Sequence, residues 1–222
     1  RFNRCFVVFR GGTPRELMEH SLVMSRYIHR LRTRGKSIWM AQREGRAKDG
    51  NDLTQPAILK MLTMHSDSFL DAIRELNICP VCLNYEYDPC DYLKAAEMQL
   101  KRDNPNWKKS KQDDLTSMHT GIWGQKGRVV FRMTESINHW LDTVDLSALT
   151  RNEQVLAVAQ QIDKQIHSAY ELYERGTEFD KYIESRLALI DIPNKDEAFL
   201  RSKLYEMYNN TVINHQSAIN NK

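Results

Sequence analysis

The sequence predicts an α/β fold: a central, mostly parallel sheet flanked by helices, followed by a C-terminal helical extension. Three observations predict it. Short apolar, strand-prone runs recur at residues 5–9, 37–41, 78–87 and 127–133. Helical periodicity fills much of the chain between them. From Leu149 onward the pattern is helical only. The expected division is an α/β domain over residues 1–147 and a helical extension over 148–222.

Each element has a local cause. Cys5-Phe-Val-Val-Phe9 is a buried-type strand, broken by Gly11-Gly12. Thr13 is a helix cap, with Pro14 at the first helical position and Glu16 at the third. Leu17, Leu22, Met24, Tyr27, Ile28 and Leu31 share roughly one face of that helix, which should end before Gly35. Residues 37–41 form the second strand, and 56–64 and 66–76 two short helices. The long apolar run 78–87 is the third strand, ended by Pro89; 92–102 is helical, 103–114 a polar surface loop and 127–133 the fourth strand. Thr150-x-x-Glu153 is a capping box opening a long helix to about Tyr173. A second C-terminal helix covers 178–190, and Asn194-x-x-Glu197 caps a third, to about Asn214.

Composition narrows the class. Of 222 residues, 41% are hydrophobic and 27% charged, enough for a sizeable core without staples. No apolar run reaches the ~18 residues of a membrane span, and no secretory signal is visible, so a cytoplasmic setting is expected. The cysteines Cys5, Cys79, Cys82 and Cys90 read as free thiols in a reducing compartment rather than as metal ligands. The net charge is +3, yet residues 1–50 carry 12 Lys/Arg against 4 Asp/Glu. That end should attract an anion: a phosphorylated small molecule, a nucleic acid or an anionic membrane surface.

In parallel sheets ligands sit at the carboxyl ends of the strands, so the polar residues just after each strand matter most. Arg10 follows the first strand, where it is either a rim cation or a structural surface residue. The segment Gln42-Arg-Glu-Gly-Arg-Ala-Lys-Asp-Gly50 follows the second. Its glycines let the backbone approach a ligand, Arg46 presents a planar fork that matches phosphate, and Lys48 adds a point charge. The alternative is a solvated charged turn.

Three segments, in order, resemble conserved blocks of the glycerolipid acyltransferases of the glycerol-3-phosphate and lysophosphatidate type. Arg4-Cys-Phe-Val-Val-Phe-Arg-Gly11 is similar to an aromatic strand ending in arginine; residues 38–50 to an apolar strand followed by Glu-Gly-x-Arg-Ser-Arg-x-Gly; residues 78–86 to an apolar strand containing proline. Residues 127–133 resemble the strand that follows, so the likeness covers about residues 4–135. It implies acyl transfer from acyl-CoA or acyl-carrier protein, as co-substrate, to a hydroxyl of a glycerol phosphate or lysophospholipid. It further implies no cofactor and no metal. The acceptor phosphate would be held by Arg10, Glu44, Gly45, Arg46 and Lys48, with Arg43 and Pro80 shaping the pocket.

Two departures are plain. Aligning Arg46 and Gly50 with the family places Arg43 at the usual glutamate position and Glu44 one place later. The family's general base lies in His-x-x-x-x-Asp, and none of His20, His29, His65, His119, His139, His167 or His215 has aspartate five residues on. His65 and Asp71 come nearest, one residue too far apart. Because the chain begins at Arg1 and enters a strand almost at once, that motif is expected upstream. The histidines present are expected to have ordinary surface or core roles.

A lipid acceptor implies peripheral membrane contact, for which the arginines beside the first helix's apolar face are suited. The other classes compatible with the basic half are an anion-binding pseudoenzyme and a nucleic-acid module. The aromatic–basic motifs of nucleic-acid binding are missing, so no nucleic acid is expected. The C-terminal helices are expected to pack on the domain or on a partner.

Overall fold

A computed structural model describes residues 11–43 and 47–220. The chain is 58% helical. The helices are α1 (Pro14–Thr33), α2 (Pro56–Leu62), α3 (Phe69–Leu76), α4 (Asp91–Asp103), α5 (Lys111–Trp123), α6 (Ile137–Leu141), α7 (Arg151–Ser168), α8 (Thr177–Ala188) and α9 (Glu197–Asn220). Among the described residues the strands are β1 (Val81–Tyr85) and β2 (Val129–Met133), paired antiparallel with Val81 opposite Met133 and Tyr85 opposite Val129.

The expected central parallel sheet flanked by helices is therefore corrected to a two-stranded antiparallel ladder in a mostly helical chain. The physical reason is visible in the burial. A parallel strand is covered on both faces. Residues 37–41 form no strand, and Trp39 is 69% exposed. In β1 only alternate residues, Cys82 and Asn84, are buried, while Leu83 between them is exposed. One covered face suits an antiparallel pair. The first expected strand, residues 5–9, lies outside the described residues.

The chain divides into two compact units. The first comprises residues up to 44, 53–80 and 135–163. Here α1 starts as its sequence dictates: the Thr13 hydroxyl accepts from the Glu16 N–H, and the Glu16 carboxylate accepts from the Thr13 N–H at 2.7 Å. It packs on α2 and α3 through Ser25, Ile28 and His29. Ser68 caps α3, and the left-handed Asn77 ends it. The Asn77 side chain then accepts the Ser136 hydroxyl at 2.6 Å, which ties down the start of α6. Thr150 and Glu153 form the expected reciprocal cap of α7.

The second unit comprises residues 45–52, 81–134 and 164–222. Its core joins Ala95 of α4, Phe179, Ile183 and Leu187 of α8, and Leu200 and Leu204 of α9. The start of α4 is pinned by Asp91, wholly buried, which accepts from Arg186 Nε at 2.6 Å, the Tyr182 hydroxyl at 2.7 Å and the Tyr208 hydroxyl at 2.8 Å. The cap of α9 differs from expectation. Asn194 adopts a left-handed φ of 50°, and the Asp196 carboxylate accepts the Phe199 N–H instead. The polar stretch 103–114 is partly helical, because Ser110 and Asp113 form a capping box that opens α5.

Candidate functional site

Of the residues expected to bind an acceptor phosphate, Arg10, Glu44, Gly45 and Arg46 lie outside the described residues. Arg43, half-buried, and Pro80, buried, belong to the first unit; Lys48 belongs to the second. The Lys48 ammonium pairs with the Glu97 carboxylate of α4, which is 9% exposed. Burial pulls the Lys48 pKa down, with Glu97 opposing. The lysine expected to serve as a second phosphate cation is thus engaged by a carboxylate.

The backbone around the loop is well anchored. The Gln55 N–H donates to the Gln42 carbonyl at 2.9 Å. Asn210 Nδ2 donates to the Asp49 carbonyl at 2.7 Å. Gly50 has φ of 74°, and a Cβ there would fall inside the Met207 carbonyl, so only glycine fits.

Among the described cysteines, Cys79 is exposed and Cys82 and Cys90 are buried, and Cys90 Sγ donates to the Ser117 carbonyl at 3.4 Å. Burial pushes the Cys82 thiol up to about 11, so it stays protonated at neutral pH. These three bring no metal-ligand set together.

A cluster that sequence reasoning missed lies in the first unit. His29 of α1, His65 of the turn between α2 and α3, and Glu75 of α3 each place one donor atom within 4.8 Å of the others. The turn bearing His65 is held by Arg151, whose guanidinium donates to the carbonyls of Thr63 at 3.2 Å and Asp67 at 2.9 Å.

The carbonyl of Leu62, last residue of α2, sets both rings. A carbonyl ending a helix has no partner within it and must find donors elsewhere. It takes the Ser25 hydroxyl at 2.7 Å and His29 Nε2 at 3.2 Å. Only a protonated ring nitrogen can meet a carbonyl, so Nε2 carries a His29 proton and Nδ1 is the nitrogen left beside Glu75. Ser25 has given its one proton away, so its oxygen accepts from His65 Nδ1 at 3.1 Å. His65 Nε2 is then the second nitrogen left beside Glu75.

The two remaining ring nitrogens lie near one carboxylate. Glu75 Oε2 lies 3.0 Å from His29 Nδ1 and 3.9 Å from His65 Nε2. His29 is 4% exposed, and its Nδ1 makes no hydrogen bond, because the Glu75 oxygen sits off the ring's lone-pair line. The two rings lie close, centroids 3.7 Å apart, with their planes tilted by 42°. The His65 pKa is lowered, by burial first and by its neighbour His29 next, with Glu75 opposing and Arg26 adding. Neutral His65 is the form at neutral pH.

No local spacing could have revealed this cluster, since its members come from three elements. Compared with known proteins, the chain matches no family model, no curated protein and no solved structure. No helix among the described residues is long and apolar enough to cross a membrane.

Proposed function

We propose that this chain carries the acceptor-binding part of an acyltransferase that moves a fatty acyl group from acyl-CoA or acyl-carrier protein to a glycerol-phosphate or lysophospholipid hydroxyl. The observation that carries the reading is the ordered set of segments 4–11, 38–50, 78–86 and 127–133, above all the cation- and glycine-rich stretch from Gln42 to Gly50. The reading does not depend on the parallel sheet, which is withdrawn.

Two structural features support it. Gly11 and Gly12 both have positive φ, 139° and 91°, directly after Arg10 and before the capped start of α1. A helix start favours an anion beside it. At the other segment, fixed stems at Gln42–Gln55 and Asp49–Asn210 bracket residues 44–46. With Lys48 held by Glu97, Arg46 is the cation of this segment left for phosphate, and its guanidinium fork matches phosphate oxygens. The general base is sought in a His-x-x-x-x-Asp outside this sequence.

The test is an acyl-transfer assay on the complete polypeptide that carries this chain. Both donor types are run against glycerol 3-phosphate and lysolipids, with direct titration of glycerol 3-phosphate into the 222-residue chain. Acyl transfer that Arg46→Ala abolishes, together with acceptor binding that it weakens, is the expected result. No transfer with any pair from folded protein overturns the reading.

A further inference from the structure

We infer that His29, His65 and Glu75 form a binding site for one divalent first-row transition-metal ion of the zinc or cobalt kind. The inference is independent of acyl transfer, and it replaces the expectation that the chain binds no metal.

The argument is one of unmatched ligand atoms. Leu62 and Ser25 engage the other two ring nitrogens, so His29 Nδ1 and His65 Nε2 are the atoms left beside the Glu75 carboxylate. Three potential ligand atoms converge within 4.8 Å, and one of them, Nδ1, is buried without a hydrogen bond. Buried polar atoms are almost always satisfied, so this grouping needs something positive in its middle. Glu75 has no lysine or arginine partner among the described residues' ion pairs, and its side chain is 43% exposed, which leaves an approach from solvent.

A proton is the rival occupant. It would sit on His29 Nδ1 and point at Glu75, but the carboxylate oxygen lies off that direction despite being only 3.0 Å away. A metal ion would itself take the lone-pair direction, and the carboxylate that completes its shell then stands to one side of that line. Two ligands each about 2.1 Å from zinc stand roughly 3.0–3.4 Å apart when they subtend 90–110°. The 3.0 Å pair already has that spacing; the 3.9 Å pair and the two ring nitrogens, within 4.8 Å of each other, must draw together around the ion.

The surroundings agree. A ligating histidine commonly donates its other N–H to a carbonyl or similar acceptor, which fixes its tautomer. Here His29 donates to Leu62 and His65 to Ser25. Two imidazoles and one carboxylate suit zinc, cobalt and their neighbours rather than calcium or magnesium, which prefer all-oxygen cages. Three protein ligands leave a coordination position on the solvent side for water or another exchangeable ligand.

The experiment uses the untagged, chelator-treated 222-residue chain titrated with Co²⁺ and followed by visible absorption, with Zn²⁺ as competitor. One equivalent is expected to produce saturable d–d bands that Zn²⁺ abolishes. Glu75→Gln and His65→Asn should each weaken binding at least about 100-fold, and Ser25→Ala about 10-fold. His139→Ala, on an exposed helix face, should leave it unchanged. Circular dichroism establishes that each variant is folded; because Glu75 is half exposed, Glu75→Gln is the variant least exposed to misfolding. Absence of saturable 1:1 binding, or equal affinity in folded Glu75→Gln, overturns the inference and leaves a proton shared by His29 and Glu75. Loss of binding in His139→Ala overturns it in favour of surface histidines.

Discussion

The two units each bury a cluster of ionisable side chains, and the clusters differ in how their atoms are matched. In the second unit Asp91 receives Arg186, Tyr182, Tyr208 and the Tyr92 N–H. Arg186 also donates to the Pro89 carbonyl at 2.8 Å and lies over the Tyr92 ring. Both tyrosine hydroxyls are pushed well up by burial and by Asp91, so they remain donors. Acceptor and donors are closed on one another. In the first unit the hydrogen bonds of both rings run outward to Leu62 and Ser25, and the remaining ring nitrogens converge on Glu75. The difference teaches what each cluster is for. A closed network fixes the fold, whereas one left with converging ligand atoms is ready for a cation.

The largest expected effect breaks the closed cluster. Arg186→Ala leaves Asp91 buried without its cation and should cost about 3–5 kcal/mol, read as a lowered denaturation midpoint in urea. A loss under about 1 kcal/mol would mean Asp91 is not held as described.

The next effect fills the open cluster. Zinc at 100 times its Kd should stabilise the chain by about 2.7 kcal/mol, seen as a Tm rise of several degrees that Glu75→Gln lacks. Acid should oppose it, since ligands must be deprotonated. The sign for metal-free protein follows from His65. Its folded pKa lies below the ordinary 6.5, so the unfolded chain takes up the proton first. Stability should therefore fall as pH drops through 6.5, with the loss complete below the folded pKa. Tm measured across this range should show a slope that His65→Asn removes.

A smaller effect separates local from clustered interactions. Thr150→Ala removes the cap of α7 and should cost about 1 kcal/mol while leaving metal affinity unchanged. The smallest is the sharpest contrast. In metal-free protein Glu75→Gln should alter stability by no more than about 0.5 kcal/mol, because the amide can donate to or accept from the ring nitrogen that it meets. The same kind of deletion is costly in one cluster and nearly neutral in the other.

What the sequence made legible was local. Thr13-Pro14 with Glu16 and Thr150 with Glu153 identified two helix starts, because a capping box involves residues three apart. Ser110 with Asp113 carried the same signal for α5 but was hidden within a polar stretch. The sheet was not legible, because strand propensity at residues 37–41 says nothing about a partner, and Trp39 is left exposed. Nor does alternation of strands and helices fix direction: β1 and β2 pair antiparallel although α4 and α5 intervene. Of the expected phosphate site, the glycines were read as letting a ligand approach, whereas Gly50 is required by its positive φ and by the Met207 carbonyl, and the engagement of Lys48 by Glu97 likewise depends on tertiary packing. His29 was assigned an ordinary role because nothing near it in sequence marks it; its partners arrive from α2, α3 and the turn between them.

The most direct test of the open cluster is an anomalous difference map, recorded at the zinc edge from crystals grown with one equivalent of Zn²⁺. The predicted result is a single strong peak about 2.0–2.2 Å from His29 Nδ1, His65 Nε2 and a Glu75 oxygen. A map with no peak there, or with zinc only on exposed histidines such as His119 and His139, would contradict the account.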